Sequence, residues 1–158
     1  MSKSNAIGLD EKVTKQLVSK LNGLLSNFQV FYMNVRGFHW NIKGEEFFTL
    51  HPQYEQLYTD LQLKIDEIAE RIRTLGETPL HSFSSYLKQA RIKEQTDISA
   101  GPKGVQFIVD SLAILVVQER SIIEVADKAA DSGTSDMMTV YIREQEKLLW
   151  MYSAYLKK

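Results

Sequence analysis

The 158-residue chain contains no cysteine. Disulfides, thiolate metal sites and thiol nucleophiles are therefore excluded, and the composition is compatible with a reducing cytoplasm. Proline occurs three times and glycine eight times, so little interrupts regular structure. The longest uninterrupted apolar run, LAILVV at 112–117, is far too short to cross a bilayer. The opening MSKSNAIGLDE lacks the apolar centre of a secretory leader, and the expected compartment is the cytoplasm, with no membrane partner. Neither charge dominates. Nineteen basic against twenty acidic residues leave a net charge of −1, which gives the whole chain no pull towards nucleic acid or anionic lipid.

What is present is apolar and periodic. At 44% apolar residues, the chain predicts one domain over 1–158 with a short N-terminal tail of about residues 1–9. Val13, Leu17, Leu21, Leu24, Phe28, Phe31 and Val35 recur at helical spacing and predict a first helix from about 10 to 37 or slightly beyond. Tyr54, Leu57, Leu61, Ile65, Ile68, Ile72 and Leu75 predict a second, with Thr49 as a possible N-cap and Gly76 as its stop. Residues 76–102 hold two of the prolines and read as a crossover with a short helix near Ser82–Ala90. A third stripe runs from Val105 to Ala126 and is ended by DSGTSD at 131–136; a fourth runs from Met137 to Tyr155. Two helical hairpins joined by one long connection predict an all-α, ferritin-like four-helix bundle whose crossover carries a short extra helix.

Histidine is scarce as well, and two of its three copies bracket FHWNIKGEEFFTLH at 38–51. No histidine has a glutamate three residues before it, so the Glu-x-x-His pairs of an ordinary di-iron bundle are missing. In KIDEIAERI at 64–72, Asp66 and Glu70 stack on one helical face. Taking Ile65 as zero, the seam residues Leu61, Ile68 and Ile72 lie at about −60° to −20°, whereas the two carboxylates lie at about 100° and 140°. They point away from the seam, beside Thr59, Gln62 and Leu63, on a face suited to meeting another subunit. His51 falls near ~40°, on the flank. Taken singly, each residue also fits a plainer role. The carboxylates suit a solvated face paired with Arg71 or Lys64, His39 beside Trp40 suits a buried packing residue, and His81 suits a surface position in the crossover.

The stretches FHWNIKGEEFFTLHPQYEQLY and IDEIAERIRTLGETP, together with the terminal LLWMYSAYL, resemble the signature of the Dps family, the miniature ferritins, over about residues 12–157. The resemblance implies that His39 and His51 of one subunit and Asp66 and Glu70 of its two-fold partner are ferroxidase ligands. It places Glu55 as a further acidic group near the site and Trp40 beside the metals. It also implies Fe(II) oxidation, preferably by hydrogen peroxide rather than oxygen, and mineral storage in a hollow homododecamer that protects against oxidative damage. Such a nitrogen and oxygen donor set suits iron, though zinc fits the same ligands. Asp127, Asp131 and Asp136 match the part of the family that lines acidic three-fold pores, with helix capping as the alternative for any one of them. Non-specific DNA compaction is the rival function. The termini supply only Lys3, Lys157 and Lys158, so weak or absent DNA binding is expected. A bare helical scaffold with a vestigial site is the third reading, and the intact ligand set argues against it.

Overall fold

The computed structural model describes residues 3–157; the first two residues of the expected tail, and Lys158 of the terminal lysine pair, lie outside them. Five helices follow in order: α1 (Glu11–Asn41), α2 (Phe47–Thr74), α3 (Phe83–Gln89), α4 (Gly101–Lys128) and α5 (Ser132–Tyr155). α1 pairs with α2, α4 pairs with α5, and α1 packs on α4 to close the bundle, with the short α3 laid against α1. The apolar stripes meet inside: Leu17, Leu21, Leu24, Phe28, Phe31, Leu61, Ile68, Ile72, Ile108 and Leu115 are all but sealed from solvent.

Helix ends follow local chemistry. Asp10 caps α1 by accepting from the backbone N–H groups of Lys12 and Val13. Gly76, at φ +96°, ends α2 with a Schellman pair, in which Gly76 N–H donates to Arg73 C=O and Glu77 N–H to Ile72 C=O. The expected cap at Thr49 is not found. α2 begins at Phe47, with Glu46 at the N-cap position making no side-chain cap bond, and Thr49 lies exposed in the first turn. The reason is Phe47, whose ring packs on the core and stacks on His51 and so draws the helix start three residues earlier. DSGTSD also breaks the chain less than expected. Only Ala129–Asp131 form the turn, and Asp131 caps α5, which takes in the rest of the motif as its first turn.

The described residues before α1 are tied down rather than trailing. Asn5 accepts from the N–H groups of Ile7 and Leu9 and donates to Leu75 C=O, and Ser4 bridges to Asp10. The crossover is held by three asparagines of α1, a device the apolar periodicity does not reveal. Asn22 accepts from Leu80 N–H, Asn27 from Arg91 and Ile92 N–H, and Asn34 from Gln95 N–H while donating to Lys93 C=O. Irregular backbone thereby finds partners without a sheet or helix of its own. Gly104 lets α4 close on α2, because a Cβ there would stand 2.7 Å from the Tyr54 hydroxyl.

The interior holds charged groups too. Lys64, 5% exposed, donates to Asp60 and makes an ion pair with Glu144, each at 2.7 Å. Glu119 is fully buried and accepts one bond, from Gln145 Nε2 at 2.7 Å. Burial pushes its carboxyl up to about 8, against the smaller opposing influence of Gln145, Lys64 and Arg120. At neutral pH it keeps its proton. The hydroxyl so formed supplies a donor where Glu119 Oε2 and Gln145 Oε1 are both buried and otherwise unpartnered.

Candidate metal centre

The two histidines bracket the α1–α2 turn, and the turn brings them face to face. Their rings stack at 3.7 Å between centroids with 13° between planes. His39 Nδ1 lies 2.7 Å from His51 C=O, and His51 Nδ1 lies 2.8 Å from His39 C=O. A carbonyl only accepts, so each Nδ1 carries the proton and donates. The chain can make this crossed pair because α1 stops two residues after His39. His39 C=O is then one of the helix-terminal carbonyls without a helical partner, and Lys43 N–H, which would have served it, donates to Ser99 C=O instead. Phe47 stacks on the outer side of His51 at 4.9 Å, and Tyr58 meets the His39 ring edge-on at 5.3 Å.

The consequence is chemical. With Nδ1 spent on a carbonyl, each imidazole has its tautomer fixed and presents the Nε2 lone pair, the arrangement that orients metal-ligating histidines. Neither Nε2 makes a hydrogen bond among the described residues. His39 is 8% exposed and His51 is half-buried, so the pair is held but reachable.

Asp66 and Glu70 lie exposed on α2, as do Thr59, Gln62 and Leu63. They cannot join the histidines of their own chain. Fifteen residues separate His51 from Asp66 along one continuous helix, which is about 22 Å at the helical rise, and Glu70 is a turn further away. Among the described residues no group of three or more His, Asp or Glu is placed to hold a metal ion. Glu55, one turn after His51, is exposed, and Trp40 is 57% exposed with Arg36 Cζ 4.7 Å from its ring centre.

The three acidic residues near the α4–α5 turn divide. Asp131 is 2% exposed, caps α5 through Thr134 N–H and Oγ1, and pairs with Arg71 at 2.5 Å, so its carboxylate is used within the subunit. Asp127 and Asp136 are exposed, the former accepting from Ser135 Oγ at 2.8 Å. His81 is exposed in the crossover, its Nδ1 3.0 Å from Pro79 C=O. Residues that sequence reasoning passed over are Phe47, Tyr58 and Arg36. Tyr58 is two turns beyond His51 and Arg36 one turn before His39, so helical spacing alone was the available signal. Among the described residues no helix is long and apolar enough to cross a membrane.

Comparison with known proteins agrees with this architecture. A ferritin-like domain model matches residues 18–158. The chain is 49% identical over 151 residues to the DNA protection during starvation protein of Porphyromonas gingivalis, covering 96% of this chain and 95% of that one. Among solved structures, the Dps protein of Vibrio cholerae O1, described as a member of a broad superfamily of ferritin-like diiron-carboxylate proteins, superposes with a TM-score of 0.96 at 57% identity, covering 99% and 98% of the two chains. The Dps protein of Bacillus brevis gives 0.89 at 34% identity, covering 92% and 97%.

Proposed function

The chain belongs to the Dps family of ferritin-like proteins, and on that premise we propose that it is a ferroxidase and iron-storage protein whose oxidation site lies between subunits. The observation that carries this reading is the crossed histidine pair, with both Nδ1 protons spent and both Nε2 lone pairs unspent. His39 and His51 would supply nitrogen to Fe(II), and the partner's Asp66 and Glu70 would supply oxygen, with Glu55 as a further acidic group nearby. Few protein ligands leave coordination positions for an oxidant. Two Fe(II) give one electron each to a hydrogen peroxide, which takes up two protons and leaves as two waters, so Fe(II) and peroxide are consumed together. Oxygen is the alternative oxidant. The ferric product would be stored as mineral within a homododecamer built from two-fold dimers, and exposed Asp127 and Asp136, rather than buried Asp131, would line the path by which Fe(II) is taken up.

Weak or absent DNA binding belongs to the same proposal. A net charge of −1 per chain makes any assembly of copies anionic, and few lysines lie near the termini to neutralise phosphate. Clear retention of plasmid DNA by the assembled protein in a gel shift at neutral pH and moderate salt would overturn this part.

Complementation tests the site. His39→Asn with His51→Asn keeps a side-chain N–H near each Nδ1 position and removes both Nε2 atoms; Asp66→Asn with Glu70→Gln removes both carboxylates. Each double variant should lose the fast phase of Fe(II) oxidation. Co-refolded together, mixed dimers contain one site lacking all four ligands and one with the full set, so part of the activity should return. Verified mixed dimers without recovered activity would show that the carboxylates do not act across the interface.

A further inference from the structure

Among the described residues Arg36 is a cation in no ion pair, one helical turn before His39. Its guanidinium carbon stands 4.7 Å from the Trp40 ring centre, 5.4 Å from Tyr32 and 5.7 Å from Tyr58. Tyr58 in turn packs edge-on against His39, so one ring separates the guanidinium from the imidazole. Nη1 donates to the Tyr32 hydroxyl at 3.3 Å, whereas Nε–H is buried with no partner. None of the ion pairs among the described residues includes Arg36. Glu94 lines the same groove of about 390 Å³, together with Met33, Phe83 and Leu87, yet makes no ion pair with it.

An uncompensated positive charge is out of place next to a site that collects Fe(II), because it opposes the ion it stands beside. A carboxylate removes the conflict. The guanidinium fork matches a carboxylate edge, and a carboxylate that ligates through one oxygen has lone pairs left for a hydrogen-bond donor that fixes its orientation. If the inter-subunit reading above holds, the surface brought against His39 is the acidic face of a second copy's α2. We infer that Arg36, itself clamped by three aromatic rings, is a positioning residue that takes the partner's Asp66 or the partner's Glu70 and holds that carboxylate at the histidine pair.

The inference is tested on the metal-free assembly by double-mutant cycles, so that the readout does not pass through iron chemistry. Dissociation on dilution is followed by light-scattering mass for Arg36→Gln, Asp66→Asn, Glu70→Gln and the two pairs, with Arg36→Gln plus Glu94→Gln and Arg36→Gln plus Glu55→Gln as intrachain controls. Arg36→Gln should raise the dissociation midpoint about tenfold, and combining it with one of the two α2 variants should add little more, since both remove the same contact. Co(II) binding, read by its visible absorption, should weaken by roughly 10- to 100-fold in Arg36→Gln and recover in part in Arg36→Lys, which a purely packing role for the arginine would not produce. Additive effects with both Asp66→Asn and Glu70→Gln, or coupling confined to Glu94 or Glu55, would overturn the assignment. Additivity alongside successful complementation would remove only Arg36's role, whereas failed complementation would remove the inter-subunit site and this inference with it.

Discussion

The bundle interior and the α1–α2 turn both bury polar side chains, but they dispose of them differently. Inside, the Lys64 ammonium is shared between Asp60 and Glu144, and Glu119 is held neutral against Gln145, so each group is matched within the subunit. At the turn, each imidazole spends one nitrogen on the other's carbonyl and keeps the second unspent. A polar group whose capacity is used up inside the chain stabilises a fold. One that is oriented and still holds a free lone pair is ready for a ligand. The distinction separates Asp131, fully engaged with Arg71 and Thr134, from Asp127 and Asp136 in the same short stretch.

The largest effect should come from emptying the unspent nitrogen. The double Asn variant at positions 39 and 51 should oxidise Fe(II) roughly 100-fold more slowly or worse, yet keep its assembly mass and unfold within about 1 kcal/mol of the parent, because the side-chain donors to the carbonyls remain. An equally large loss of stability would mean that the histidines, too, serve chiefly to hold the fold, and the comparison would fail.

Next in size is Glu119. Its folded-state carboxyl titrates near 8, above an ordinary value of 4.5, so it adds no penalty below about pH 4.5. As pH rises from there, the unfolded chain gains by ionising while the folded chain does not, and stability falls until the folded group also loses its proton near pH 8. Glu119→Gln, which carries the donor permanently, should flatten this slope and stabilise the protein by about 4 kcal/mol at pH 8, read from urea midpoints across pH. Fe(II) oxidation at saturating iron should be unaffected. An unchanged slope would show that the carboxyl ionises in the fold and is compensated in another way.

The smallest effect concerns the acidic turn. Asp127→Asn with Asp136→Asn should leave thermal stability within about 0.5 kcal/mol, as surface changes do, and slow iron uptake a few-fold at low salt only. Equal uptake rates at every salt concentration would count against a channel role for these exposed carboxylates.

Much of the architecture was written in the periodicity. Breaker-poor stripes at helical spacing required long helices, Gly76 marked a left-handed stop, and the punctuated 76–102 segment required a crossover. The outward direction of Asp66 and Glu70 followed from 100° per residue against the seam, and both are exposed. The Thr49 cap failed because a local capping preference of about 1 kcal/mol yields to the burial of an aromatic ring such as Phe47, which no residue pattern ranks in advance.

By itself, then, the sequence determined what is local and periodic: helix number, the apolar faces, the crossover, the absence of thiol chemistry, and which scarce residues were available as ligands. Tertiary structure alone decided what each of them is free to do. The crossed bonds of His39 and His51 depend on where α1 stops and on Lys43 turning to Ser99, the neutrality of Glu119 depends on the depth at which α4 meets α5, and the isolation of the Arg36 charge depends on three rings from two helices. The free capacity of a polar atom is set by which neighbours reach it, and residues distant in the chain become neighbours only when the bundle closes.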